Sequence, residues 1–206
     1  MKTIIYDWKE EIKKEELDHV KEVLDKGGVV IFPTDTVYGI GCNCFNEEAI
    51  DKLFEFKQRD YMKPINVLTS SKEQIEKIAI IQNETEDKII KEYTPGALTI
   101  ILKKKETVPD LLTSQLNTVG VRIPNNKIAL QILKIVENPL ATTSVNLSGE
   151  KAGIQLSDFV DQFQGKVDII IDGGISDIQL ASTIVKVENN EIKILREGTV
   201  KIKNTF

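Results

Sequence analysis

The sequence predicts an α/β chain of the α+β type, a three-layer sandwich built on a mixed parallel and antiparallel sheet flanked by helices. Three observations carry that reading. Short continuous apolar runs such as Val29 to Phe32 and Leu98 to Leu102 suit strands buried on both faces. Helix-periodic segments lie between them, and a hairpin pattern around Asn189-Asn190 argues against a purely parallel sheet.

In chain order, Thr3 to Tyr6 is a short strand, followed by an amphipathic helix with Leu17, Val20, Val23 and Leu24 on one face and His19 at its surface. The Gly27-Gly28 pair ends that helix. Val29 to Phe32 then delivers a polar loop containing Thr34, Asp35, Thr36 and Tyr38, in which Gly39 and Gly41 permit positive φ or close approach of a ligand. Asn46 caps a helix bearing Ala49, Ile50, Leu53 and Phe54 at helical spacing, and Lys57, Arg59 and Lys63 cluster at its end. Ile65 to Leu68 is a strand, Ser70 or Ser71 caps a helix to about Ile80, and a second helix spans Thr85 to Tyr93.

After the strand Leu98 to Leu102, the run Lys103 to Lys105 reads as a solvated strand end, and Leu111 to Asn117 as irregular. Thr118 to Ile123 is a strand stopped by Pro124. Asn125 or Asn126 caps a helix from Ile128 to Val136, and Leu140 to Ser144 is a strand feeding a second hydroxyl-rich loop, Val145 to Gly149. A short helix around Ser157 to Phe163, a strand Val167 to Ile171 ending in Asp172-Gly173-Gly174, and the hairpin Ser182 to Val187 with Glu191 to Leu195 complete the chain.

With 206 residues, 41% apolar, the chain can build a substantial core, and no repeat, linker or low-complexity tract divides it, so residues 1–206 are read as one domain. A net charge of −5 excludes a generally basic nucleic-acid binder and leaves room only for a local basic cleft. Cys42 and Cys44 are too close for an ordinary disulfide framework and read as reduced. A charged N-terminus and the lack of any long apolar run predict a cytoplasmic protein with no membrane partner.

No Walker or dinucleotide loop, metal-ligand cluster or Ser/His/Asp set stands in the sequence, so no metal site is expected. Cations and hydroxyls instead recur at loop positions: Lys57, Arg59 and Lys63; Thr118 and Arg122; Ser144 and Asn146; Ser182, Thr183 and Arg196. Such groups suit an anion, because Arg clasps phosphate or carboxylate bidentately while Lys supplies a point charge. Each also has a plain structural reading. Spacing alone favours Lys57 and Arg59 as partners of a helix C-terminus, Ser144 and Asn146 as a strand-end turn, and Arg122 and Arg196 as surface charges.

Taken together, the stretches PTDTVYGIG (33–41), KQR followed by KP (57–64), TPGALT (94–99), VRIP (121–124), ATTSVNLSG (141–149), STIV (182–185) and REG (196–198) resemble the threonylcarbamoyl-AMP synthase family, the YrdC-domain or TsaC-like proteins, in its single-domain form. They span nearly the whole chain in family order. The resemblance implies a YrdC-like fold with a twisted sheet and a concave positive cavity. It implies that L-threonine, bicarbonate and ATP yield threonylcarbamoyl-AMP and pyrophosphate, Mg²⁺ being carried with ATP. Downstream proteins would then transfer the threonylcarbamoyl group to the adenosine beside the anticodon of tRNA.

By motif position, Thr36, Arg122, Thr142 and Ser182 would hold L-threonine, and Arg59, Lys63, Thr118, Ser144 and Arg196 would hold ATP. Lys57, Arg59, Ser144 and Asn146 would form the catalytic group. This chain departs from the family at Asp60, where many members have Pro, at Leu68, where many have His, and at Val145, where Ala is commoner. Two other readings stand beside the synthase: a related carbamoyl-transfer enzyme, and a non-catalytic binder of double-stranded RNA or tRNA. Holding Lys57 with Arg59 and Ser144 with Asn146 favours the synthase over the first, and the acidic total disfavours the second.

Overall fold

The computed structural model describes residues 2–203; the ends of the expected 1–206 domain lie outside them. In chain order the elements are β1 (Ile4–Asp7), α1 (Lys14–Asp25), β2 (Val30–Phe32), β3 (Gly39–Asn43), α2 (Glu47–Lys57), β4 (Asn66–Leu68), α3 (Lys72–Ile78), β5 (Ala79–Ile80), α4 (Glu84–Tyr93) and β6 (Leu98–Lys104). Then follow α5 (Asp110–Thr113), β7 (Thr118–Arg122), α6 (Lys127–Ile135), β8 (Leu140–Ser144), a 3₁₀ turn (Leu156–Asp158), α7 (Val160–Phe163), β9 (Ile169–Asp172), β10 (Thr183–Glu188) and β11 (Glu191–Arg196).

The caps explain the helix starts. Asn46, Ser71, Asn83 and Asn126 each accept a backbone N–H from the first turn with a side-chain oxygen. Helix α1 ends where Gly27 takes φ +80° and the Gly28 N–H returns to the Val23 carbonyl, a conformation that favours glycine. Asn189 and Asn190 both take positive φ at the turn of the β10–β11 hairpin, whose right-handed twist such a turn matches.

The strands join one mixed sheet in the order β1-β9-β2-β3-β8-β4-β7-β6-β10-β11, with β5 on the side of β6. Pairs β1/β9, β2/β9, β4/β7 and β6/β10 are parallel, and the others antiparallel. Side chains alternate between the sheet's faces, which builds two cores. Val29, Ile31, Ile40, Val67, Val121, Ile100 and Ile170 pack against helices α2, α3, α4 and α7 on one face. Val30, Phe32, Leu68, Leu140, Ile169 and Ile171 pack against α1 and α6 on the other. Helix, sheet and helix form the three expected layers.

The register also fixes which residues share the α1/α6 face beyond those helices. Gly41 pairs with Thr142 and Thr142 with Asn66, while Leu68 pairs with both Leu140 and Arg122. Gly120 pairs with Ile101 and Thr118 with Lys103, and Ile184 lies opposite both Thr99 and Arg196. Because a shift of one residue would reverse every side chain, this register places Thr142, Ser144, Asn66, Gly120, Arg122, Thr118, Thr99 and Arg196 on one face.

Two local expectations are corrected. The segment read as a ligand-approach loop at Gly39 and Gly41 is strand β3, neither glycine has positive φ, and the close approach is to a neighbouring strand. A Cβ on Gly39 would stand 2.7 Å from Thr142 Cγ2, and one on Gly41 2.9 Å from Thr142 Oγ1. The stretch read as irregular, 111–117, begins inside α5. Cys42 and Cys44 are free and buried, and burial pushes the Cys44 thiol up to about 12. His19 is half-buried, with Nδ1 2.8 Å from the Tyr6 hydroxyl.

Candidate functional site

Where α1 and α6 no longer cover their face of the sheet, a cavity of about 410 Å³ opens over β8, β4, β7, β6 and the start of β10. Of the residues expected to bind substrates, Thr36, Arg59, Arg122, Thr142, Ser144, Ser182 and Arg196 line it together. Three guanidinium groups and Lys151 thus face one space whose lining, among the described residues, contains no carboxylate. A site of this composition and size suits a small anionic ligand.

Arg122 belongs to the expected amino-acid set. It is buried, not a surface charge: Nε donates to Gly96 O at 2.9 Å, Nη1 to Thr36 Oγ1 at 2.8 Å, and Nη2 to Asp35 Oδ1 at 2.5 Å. An arginine has five N–H donors, and among the described residues two of these are not taken up. Thr36 is held in turn by Thr34, whose hydroxyl lies 3.0 Å from Thr36 Oγ1 and donates to Val37 O at 2.6 Å. Asp35 Oδ2 is buried and has no hydrogen-bond partner among the described residues. Thr142 donates to Leu140 O, its methyl resting in the space left by Gly39.

Lys57 ends α2 but is buried and turned inward, so its role is not that of a solvated partner of the helix dipole. Its ammonium donates to Ser144 O and to Asn146 Oδ1 at 3.1 Å, and Ser144 Oγ donates to the same Oδ1 at 2.7 Å. Burial, then the Arg59 charge, push the Lys57 amine down to about 7. Asn146 fixes the following loop through Leu147 O at 2.7 Å and Glu150 O at 2.9 Å. Lys57 and Asn146 therefore stand behind the lining and orient Ser144, which lines it.

Arg59 follows the left-handed Gln58 that terminates α2, and it is tied to Lys63 O at 3.0 Å and Pro64 O at 2.9 Å. Lys63 is exposed and contributes this carbonyl; its side chain is not among those lining the cavity. Thr118, at the far end of β7, is outside the lining as well, though on the same sheet face. Arg196 is exposed at the rim and donates twice to Ser182 O, at 2.8 and 3.0 Å, and once to Ser182 Oγ at 3.0 Å. A member of the expected ATP set thus meets a member of the expected threonine set. Ser182 also lies 2.9 Å from Thr99 Oγ1. Gly198 lets the tail lie against this corner, since a Cβ there would stand 2.4 Å from Thr183 N.

Tyr38, grouped by sequence with the loop hydroxyls, turns its hydroxyl away from the site: it donates to Gly174 O and accepts from Gly173 N. Burial pushes its pKa up. Asp172-Gly173-Gly174 is a turn, with Asp172 Oδ1 accepting from Gly174 N. Asn66, Thr99, Lys151 and the 179–181 segment line the cavity without having been singled out. For Asn66 and Thr99 the available signal was a single polar residue inside an apolar run, INVL and LTII. No helix among the described residues is long and apolar enough to cross a membrane.

The family model Sua5_yciO_yrdC, described as "Telomere recombination", matches residues 22–198. A chain from Methanocaldococcus jannaschii named "Putative threonylcarbamoyl-AMP synthase" is 39% identical over 97% of this chain and 93% of its own. The Pyrococcus abyssi threonylcarbamoyl-AMP synthase is 35% identical over 98% of this chain, which spans only 59% of that relative's length. Among solved structures, P. abyssi Sua5 complexed with L-threonine superposes with a TM-score of 0.91 at 36% identity, covering 95% of this chain and 58% of that one. Escherichia coli YciO superposes with a TM-score of 0.87 at 25% identity, covering 99% of both. With a family match over most of its length and relatives at this identity, the chain belongs to the Sua5/YciO/YrdC family.

Proposed function

We propose that this protein is an L-threonylcarbamoyladenylate synthase. The observation that carries the reading is one cavity in which Arg122, with two N–H groups free, faces Arg59 and Arg196 across a floor of hydroxyls, without a carboxylate in the lining. That composition accepts a carboxylate and a polyphosphate together and repels neither. Relatives named for this reaction, and a threonine-bound structure of similar fold, support it.

The amine of threonine adds to the carbon of bicarbonate with loss of water, giving a carbamate. A carbamate oxygen then attacks the α-phosphorus of ATP, and pyrophosphate leaves with the electron pair of the broken P–O bond. Arg122 with Thr36 and Thr142 holds the amino acid; Arg59, Arg196 and Ser144 face the phosphates, with Lys63 and Thr118 beside them. Lys57 and Asn146 keep Ser144 oriented. Such chemistry needs mainly positioning and charge neutralisation, and no covalent enzyme intermediate. Magnesium, which offsets phosphate charge, fits this site only as a passenger on ATP, because the lining supplies no acidic ligand.

Residues 1–206 act on this reading as one cytoplasmic domain, supported by the single sheet that runs through the described residues. Its product passes to proteins that modify tRNA. The test is product analysis with the full chain, ATP, labelled bicarbonate and, separately, threonine, serine and valine. Labelled threonylcarbamoyl-AMP and equimolar pyrophosphate are expected with threonine. Pyrophosphate released equally well without an amino acid would sink the assignment.

A further inference from the structure

We propose that Asn66 is a substrate-contacting residue that hydrogen-bonds the carbamate linking the amino acid to the nucleotide; this rests on the activity proposed above. Asn66 starts β4 on the cavity face, directly opposite Thr142, and it lines the cavity. Two glycines make this row roomy. A Cβ on Gly120 would stand 2.2 Å from Asn66 Oδ1, just as one on Gly41 would crowd Thr142 Oγ1. The Asn66 amide makes no hydrogen bond to any described residue, although it sits among side chains that are nearly all engaged.

Its place in the register selects the ligand atoms. Same-face residues on a strand are about 6.7 Å apart, so the sheet presents rows at that spacing. One row carries Leu68 and Arg122, the anchor for the amino-acid carboxylate. Two steps along, Ser144 on β8 lines the end of the cavity assigned above to the nucleotide, with Thr118 on β7 in the same row but outside the lining. Asn66 and Thr142 form the row between them, under the point where threonine's nitrogen must be joined to the α-phosphate. A carbamate presents an N–H beside an oxygen, and a primary carboxamide presents the matching acceptor and donor on one edge. Leu68, the neighbouring side chain on this face of β4, can offer no such bond, whereas Asn66 lies one step away.

The experiment compares Asn66→Ala with the unaltered full chain. Initial rates of pyrophosphate release are measured against bicarbonate at saturating threonine and ATP, and calorimetry gives the affinities for threonine and for a non-hydrolysable ATP analogue. The proposal expects kcat/KM for bicarbonate to fall about tenfold, with both affinities within about twofold. Gly120→Ala, which crowds the amide without removing it, should show the same pattern. Unchanged bicarbonate kinetics in an active Asn66→Ala protein overturns the inference alone, and so does a matching loss of threonine or ATP affinity, which would place the amide on another part of the substrate. An unaltered chain that makes no threonylcarbamoyl-AMP overturns the activity and the inference together.

Discussion

The α1/α6 face of the sheet differs sharply between its two halves. On β9, β2 and the start of β8 it carries Ile169, Ile171, Val30, Phe32 and Leu140 and is roofed by α1 and α6. On β4, β7, β6 and the approach to β10, beyond Leu68, which still joins that core, it carries Asn66, Gly120, Arg122, Thr99 and Ser182 and opens into the cavity. The opposite face of those same strands is largely apolar, with Val67, Val121, Ile100 and Val185 in the other core beside the buried Thr183, whose hydroxyl donates to Val200 O. A site therefore appears where alternate strand positions turn polar and leave the helix layer nothing to bury. The strands keep their hold on the fold through their other side.

That division says open-half residues should matter for substrates and roofed-half residues for stability, and Arg122 is where it should break most strongly. Arg122→Ala leaves Asp35 buried with no cation, one oxygen of which already lacks a partner, so stability should fall by about 3–5 kcal/mol in addition to any loss of threonine binding. Urea unfolding of Arg122→Ala and of Arg122→Ala with Asp35→Ala decides it. The double variant should recover much of the loss, and equal losses in both would return Asp35 to a passive role.

Leu133→Ala sharpens the comparison from the roofed half. Leu133 is fully buried in the α6 core, and truncation should cost about 3 kcal/mol, or roughly 6–12 °C in Tm. The dependence of rate on threonine and ATP, measured well below the new midpoint, should not move. A shift in either would mean that the roof also shapes the cavity.

A smaller effect is expected at Lys57, whose amine links the two regimes. Its pKa falls from 10.5 to about 7 on folding, so between these values the unfolded chain holds more protons and stability rises with pH. The penalty for burying the ammonium is complete below about pH 7 and relieved as pH climbs towards 10.5. Lys57→Met removes this titration. From pH 7 to 9, stability of the unaltered protein relative to Lys57→Met should gain roughly 2 kcal/mol in urea unfolding. A flat difference would mean that the contacts to Ser144 and Asn146 hold the charge despite burial.

Much of the architecture was legible because apolar period and caps are local properties: Asn46, Ser71 and Asn126 sit where a first turn needs an acceptor. Strand β3 was not legible, since Gly39, Gly41 and Asn43 have low strand propensity, and pairing with both β2 and β8 imposes the conformation. The same reason hid part of the site. Lys57 at a helix end and Arg122 at a strand end look solvated in sequence; only the Val145–Gly149 loop folding over one, and the Asp35 loop over the other, bury them. Motif resemblance named most of the cavity lining, but Asn66 lies outside any distinctive stretch, and its partnership with Thr142 exists only through strand register.

The largely apolar underside of the open strands has an evolutionary consequence. A substitution at Asn66, Thr99, Thr142 or Ser144 alters what the cavity can grip without touching the packing that keeps the strand in place. Functional groups can be relocated only in discrete steps, about 4.8 Å to the next strand or about 6.7 Å along the same one. Descendants of this scaffold would then acquire new acyl or carbamoyl acceptors by jumps between grid points, each tolerated by the fold, rather than by gradual reshaping of a pocket.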